Sequence, residues 1–225
     1  MTDLEVKLHD NSAMNKIMTK YHYLHKPIIR SKMLSYGIWY QKHLIGGLIW
    51  ANPQMTKKRN LFGYPNTYDK WEVLVLARFY KLDGYSFLVP SKILSECLGS
   101  SVTYRRNKLP IGWKLQTDWV TKHYPRYPAN PFVPRVLLSW SDLALPAYDR
   151  CSICNKKHNG SHSGTIYRAA GWIPFDQTTN TQFRTHSAGY QTHKGLKQSW
   201  VYYLDENPYA YARGLAEYYA NEDRS

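Results

Sequence analysis

The residues most able to do chemistry sit in one stretch and two satellites. The stretch runs from Gly160 to Trp172, Gly-Ser-His-Ser-Gly-Thr-Ile-Tyr-Arg-Ala-Ala-Gly-Trp, with Tyr167 near the middle of a short predicted helix, Gly164 to Ala170, that Gly171 stops. Upstream, the apolar run Val136-Leu137-Leu138-Ser139-Trp140 ends in Ser141-Asp142. It is short and preceded by Pro131 and Pro134, so it reads as a buried strand with an acid at its end. A strand, a loop and a helix bearing a tyrosine can hold a phenol beside a ligand; simple packing of Tyr167 is the other reading. Asp142 is placed to orient a partner or act as a base. The first satellite is Tyr21-His22-Tyr23-Leu24-His25, where two histidines three apart can face one way on a helix, as a metal or proton relay requires. The second is Cys151-x2-Cys154-x3-His158-x3-His162. Thiolates and imidazoles at that reach can close a tetrahedron around zinc; a reduced surface loop is the alternative.

Elements that would position these groups follow from periodicity and breakers. Asn11 to Tyr21 predicts a helix with N-caps among Asp10, Asn11 and Ser12. Leu34 to Tyr40 and Leu44 to Ala51 predict a hairpin turning at Gln41-Lys42-His43, with Gly46-Gly47 marking a bulge or a close backbone approach. Trp71 to Leu82 is the strongest strand and is expected at the sheet centre, leading to a helix over Lys92 to Leu98 that Ser86 or Ser91 would start. Leu115 to Tyr124 reads as helical, Ile173 onward as extended, Ser199 to Leu204 as a strand, and Pro208 to Ala220 as a closing helix.

Composition bounds the partner. The 225 residues suit one domain spanning 1–225, with insertions at 52–69, 101–134 and 143–161. Thirty Lys and Arg stand against 16 Asp and Glu, a formal charge of +14, which argues for a polyanionic partner. Lys57-Lys58-Arg59 lies in the first insertion. The second interleaves Arg105 and Arg106 with Trp113 and Trp119, a pattern suited to phosphate contact plus base stacking. No apolar run is long enough to span a bilayer, and Asp3 and Glu5 stand where a signal peptide would be basic, so an intracellular protein without a membrane partner is expected. Three cysteines make no disulfide framework.

The strand ending in Ser139-Trp140-Ser141-Asp142, followed by His162-x-Gly164-Thr165-Ile166-Tyr167-x-Ala169-x-x-Trp172, resembles the signature of the bacteriophage Mom family, one residue looser between Gly160 and Gly164 and with residues 143–159 inserted. That family is similar to GCN5-type N-acyltransferases. The resemblance implies an α+β fold: a mixed, mostly antiparallel central sheet flanked by helices. It implies a transferase in the host cytoplasm that adds a carbamoylmethyl group to N6 of adenine in double-stranded DNA and protects that DNA from restriction. Tyr167, Asp142, His22 and Tyr23 would be catalytic. Arg78 would meet a cofactor or substrate anion, with Ser86 and Ser91 at a pyrophosphate turn, although the usual Arg-x-x-Gly-x-Gly turn is absent. The donor implied is acetyl-CoA or a relative, with iron near His22 and Tyr23 a further implication. His162 is claimed both by this motif and by the zinc spacing and cannot easily serve both. The alternatives are an acyltransferase on a small molecule or protein, and a non-catalytic DNA-binding module. On the first reading, the phenol, the acid and the early imidazole converge at the ends of neighbouring central strands.

Overall fold

The structure is a computed structural model that describes residues 3–22, 26–53, 72–85, 87–99, 111–124, 133–142, 164–179 and 196–204. Seven strands form one sheet: β1 (Leu4–His9), β2 (Met33–Tyr40), β3 (His43–Ala51), β4 (Val73–Lys81), β5 (Val136–Asp142), β6 (Ile173–Thr179) and β7 (Leu196–Tyr203), in the order β1-β2-β3-β4-β5-β7-β6. Every pairing is antiparallel except β4 with β5. Helices α1 (Asn11–Tyr21), α2 (Pro90–Leu98), α3 (Trp113–His123) and α4 (Thr165–Ala169) flank it. The expected mixed, mostly antiparallel sheet is therefore present, with β4 fourth of seven. β1 is an addition: Leu4 and Val6 are buried at alternate positions, with Asp3 and Glu5 exposed before and between them.

Alternation sends successive strand residues to opposite faces. One face carries Leu34, Tyr36, Ile38, Leu48, Trp50, Leu74, Leu76, Leu137 and Trp200, and packs against α2, α3 and α4. The other carries Ile49 and Ala51, covered by Met14 and Met18 of α1. The first half of β4, Val73 to Leu76, is buried or half-buried on both faces, which is why that stretch reads as a continuous apolar run.

Local chemistry explains the joints. Asp10 caps α1, its Oδ1 accepting from the Ala13 N–H at 2.8 Å. The β2–β3 turn is two residues, Gln41 and Lys42, both at positive φ (47° and 67°), the handedness a tight hairpin needs. Gly47 is a close-approach glycine: a methyl there would collide with the Met14 thioether, so its absence lets α1 lie on β3. The neighbouring register shift on β2 and β3 supplies the bulge expected beside Gly46. α2 begins earlier than Ser91, at Pro90, with Val89 as its cap and no side-chain bond, because proline's fixed φ suits the first helical position. Among the described residues no helix is long and apolar enough to cross a membrane.

α3 is tied to the sheet by polar links. The Tyr36 hydroxyl donates to Asp118 Oδ2 at 2.7 Å, and Lys114 pairs with the same oxygen at 2.6 Å. His123 Nε2 lies 3.0 Å from the Met33 carbonyl, an acceptor, so the ring donates through Nε2–H. Burial pushes His123 down to about 4, against the pull of that carbonyl. A histidine held neutral in the fold but free to charge when unfolded makes the unfolded state bind more protons between about 6.5 and about 4. Stability is thus expected to fall as pH drops through that window, and His123→Gln to flatten the fall. Thermal melts of both chains at pH 7, 6, 5 and 4 check it.

Candidate active site

The parallel pair at the sheet centre is incomplete. β4 and β5 pair only from Val73–Val136 to Val75–Leu138, yet β4 continues to Lys81 and β5 to Asp142. Beyond Val75 and Leu138 the two strands keep their outer partners, β3 and β7, and lose each other. The result is a fork in the middle of the sheet. A register shift on the β3 side, where Trp50 meets Leu76 and Ile49 meets Arg78, leaves Ala77 as the extra residue at the point of parting. Bulges bend a strand and re-aim its groups, and they are common beside active sites.

Tyr167 lies at the crotch of this fork. Ser139, the first β5 residue past the ladder, is 1% exposed; its Oγ lies 2.7 Å from the Tyr167 hydroxyl and 3.3 Å from the Leu76 carbonyl. The Tyr167 ring is clamped, stacked on Trp200 at 5.6 Å and tilted against Trp172 at 5.3 Å. Trp200 is held in turn by its indole N–H, which donates to Ser141 Oγ at 2.8 Å. Gly164, at φ 74°, starts α4; a methyl there would drive into the Trp200 indole. The short helix therefore owes its position to a glycine that lets the backbone lie on a tryptophan. The packing reading of Tyr167 holds, since the ring is 4% exposed; its hydroxyl stands where the ladder ends.

The other sequence candidates are distributed around this point. Asp142 is the last residue of β5, opposite Lys197 of β7. Arg78 is on β4 beside the bulge, opposite Ile49, with Nη1 donating to the Ala77 carbonyl at 2.6 Å. His22 is buried at the end of α1, its backbone N–H donating to the Met18 carbonyl at 3.0 Å. Neighbouring Tyr21 stacks on Tyr80 at 5.8 Å, which sets His22 toward the C-terminal end of β4. That is the end where the fork opens. However, α1 covers the face of Ile49 and Ala77, whereas Tyr167 packs with Trp50 and Leu137 on the opposite face. Tyr167, Ser139 and the Leu76 carbonyl are brought together; His22 and Arg78 stand on the other side of the same fork.

Two expectations change. Trp119 is 1% exposed and in the core, so its ring is not offered to a base. The apolar spacing of Leu115 and Trp119 turns both toward the sheet. Trp113, at 41% exposed, does face outward. Ser91 lies one residue inside α2 and is not its cap. Tyr23, Ser86, Lys57, Lys58, Arg59, Arg105, Arg106, Cys151, Cys154, His158 and His162 lie outside the described residues, as does the predicted closing helix. Among the described residues no group of three or more His, Cys, Asp or Glu could hold a metal.

Sequence reasoning passed over two residues. Ser139 was legible as the first residue of the Ser139-Trp140-Ser141-Asp142 strand end, with no role of its own. Cys97, fully buried with the Trp50 indole N–H 3.3 Å from its sulfur, was given no role. Burial pushes its thiol up to about 12, far from a nucleophile's range. In the folded chain at pH 8, Cys97 is expected to stay unlabelled by a thiol reagent and to react on denaturation, read by peptide mass mapping.

The sequence matches no protein-family model and no curated protein. Solved structures do align with the chain at large. An N-acetyltransferase from Staphylococcus aureus is 11% identical over 91% of this chain and 100% of its own, at a TM-score of 0.45. Arabidopsis thaliana NAA60, solved with acetyl-CoA, is 7% identical over 89% and 99%, also at 0.45. A GNAT family acetyltransferase from Elizabethkingia anophelis with acetyl-CoA bound is 9% identical over 90% and 99%, at 0.38. These are distant likenesses of architecture, and no residue's role is transferred through them.

Proposed function

We propose that the chain is a transferase that moves an acyl-type group from a thioester of the acetyl-CoA class to an amine at the fork between β4 and β5. The observation that carries this is the parallel ladder that stops at Val75–Leu138 with a phenol at its end. Past that point β4 has lost its neighbour on one side, and a strand edge without a neighbour suits an extended, amide-bearing chain. The fit to such a donor is good at the fork. It is weaker at α2, where the three-residue turn Asp83–Tyr85 and the uncapped Val89 replace a glycine-lined phosphate turn. Ser91, in the first turn of α2 on the face of Tyr167, is the described residue that would meet the donor's anionic end; Arg78 pairs with Ile49 on the opposite face.

The donor supplies a carbonyl open to attack and a sulfur leaving group. A carbon–nitrogen bond forms and a carbon–sulfur bond breaks; the amine nitrogen releases one proton to solvent or a base, and the departing thiolate takes one. Tyr167 is the residue set to give that proton, as a general acid whose hydroxyl is fixed by its neighbours. The test is acyl transfer from a panel of acyl-CoA donors to free amines, peptides and DNA, followed by mass spectrometry. Thiol release without an acylated amine would sink the reading.

A second reading, which the Mom-like motif around Tyr167 implies, puts a carbamoylmethyl-type group on adenine N6; that group is joined through a methylene carbon, so its transfer is an alkylation from a donor of another class and not the thioester attack above. The charge distribution favours it. No acid occurs between Asn11 and Tyr68. The outer side of α1 forms an open depression of about 770 Å³ lined by Asn11, Ser12, Asn15, Lys16, Thr19 and Lys20, with Pro27 and Met33. Lys122 reaches the same corner, 3.1 Å from Asn11 Oδ1. Most of the surface of this depression is apolar, and Lys16 and Lys20 are the cations that line it. Nucleosides from DNA of cells expressing the chain decide this reading: an added mass on deoxyadenosine supports it, and unmodified DNA from active, well-folded protein removes it.

A further inference from the structure

We infer that Ser139 is the residue that aims the Tyr167 phenol, by holding a proton that can turn between two acceptors. The inference deepens the proposed function and rests on the fork being the transfer site. Each hydroxyl has one proton. The Leu76 carbonyl can only accept, so the 3.3 Å contact with Ser139 is filled by the serine proton. The 2.7 Å contact must then be filled by the tyrosine proton, donated to Ser139 Oγ. The resting chain runs from the Tyr167 hydroxyl to the Ser139 hydroxyl to the Leu76 carbonyl.

That direction matters once the phenol turns its proton from Ser139 Oγ to the departing sulfur and gives it up. The Tyr167 oxygen becomes an anion 2.7 Å from Ser139 Oγ, while the bond to Leu76 is the longer of the two. A hydroxyl bonded to an anion is held about twice as strongly as one bonded to a neutral carbonyl. The serine proton therefore turns from Leu76 to Tyr167 and stabilises the phenolate until it is reprotonated. Ser139 is buried, so bulk water competes poorly for either acceptor. Trp200 and Trp172 clamp the ring, which keeps the phenol oxygen beside Ser139. Ser141, two residues on and on the same face, fixes Trp200 from behind. The two serines interrupt an apolar strand at a spacing of two because one aims the phenol and the other anchors its backing ring.

Ser139 is thus a positioning residue. The experiment places 3-fluorotyrosine at position 167 in the full chain and reads its fluorine resonance alongside kinetics. The resonance is expected to move with Ser139→Ala and to return toward the parent position with Ser139→Thr, which keeps the hydroxyl. For acyl transfer, Ser139→Ala is expected to lower kcat about 10- to 100-fold, the range for one hydrogen bond to a charged group, with KM for the donor unchanged. Added to Tyr167→Phe it should cost nothing more, since both changes remove one unit. Ser139→Cys, nearly the same size and a poor donor, repeats the measurement if the alanine chain folds badly. A resonance indifferent to residue 139, or losses that multiply in the double variant, overturns the inference. A parent chain that transfers no acyl group overturns the reading of the fork instead, and a Ser139-dependent resonance would distinguish that outcome.

Discussion

Tyr167→Phe is expected to fold and to lose transfer by about 10²- to 10⁴-fold, the usual contribution of a general acid. The change removes one oxygen and keeps the ring. The ring is what packs: it stacks on Trp200, touches Trp172 and is 4% exposed. Losing the hydroxyl removes the hydrogen bond with Ser139, worth about 1 kcal/mol net, and Ser139 keeps its bond to Leu76. Stability and activity are therefore separable at this position. Thermal unfolding of the Phe chain should lie within a few degrees of the parent while kcat collapses. Retained kcat would make Tyr167 a packing residue and remove the proposed proton donor.

Gly164→Ala is expected to act in the opposite way, through the fold. Gly164 stands at φ 74°, where a side chain costs about 1–2 kcal/mol. The added methyl would also meet the Trp200 indole, which is fully buried and fixed by Ser141. Overpacking of a filled site costs about 1–3 kcal/mol more. The sum, about 2–5 kcal/mol, is a large share of a domain's stability. Denaturant unfolding of the two chains measures it. Any activity left in the folded fraction should show a displaced Tyr167, because α4 and Trp200 hold that ring together. An alanine chain as stable as the parent would mean that α4 is not seated as described.

Gly164 was legible as part of a motif, but its reason was not. The sequence shows a glycine before a short helix; the contact with Trp200 comes from a strand more than thirty residues later. The same holds for Gly47, whose neighbour Met14 lies on a helix that the sequence placed correctly but could not dock. Trp119 shows the converse. Among cations and rings it looked like a stacking platform, yet its spacing with Leu115 is that of a core-facing helix, and burial won.

From the sequence alone came the elements that rest on local periodicity and turn chemistry: helix α1 with its Asp10 cap, the β2–β3 hairpin, the central β4, the strand ending at Asp142, and the short helix carrying Tyr167 closed by Gly171. These depend on neighbours within a few residues, so a linear reading reaches them. Only tertiary structure could decide where the β4–β5 ladder stops, that Ser139 meets Tyr167 there, and that His22 lies across the sheet on the face of α1. Those facts depend on register between strands some sixty residues apart in the chain. Register is a competition among long-range contacts, and no local pattern records its outcome.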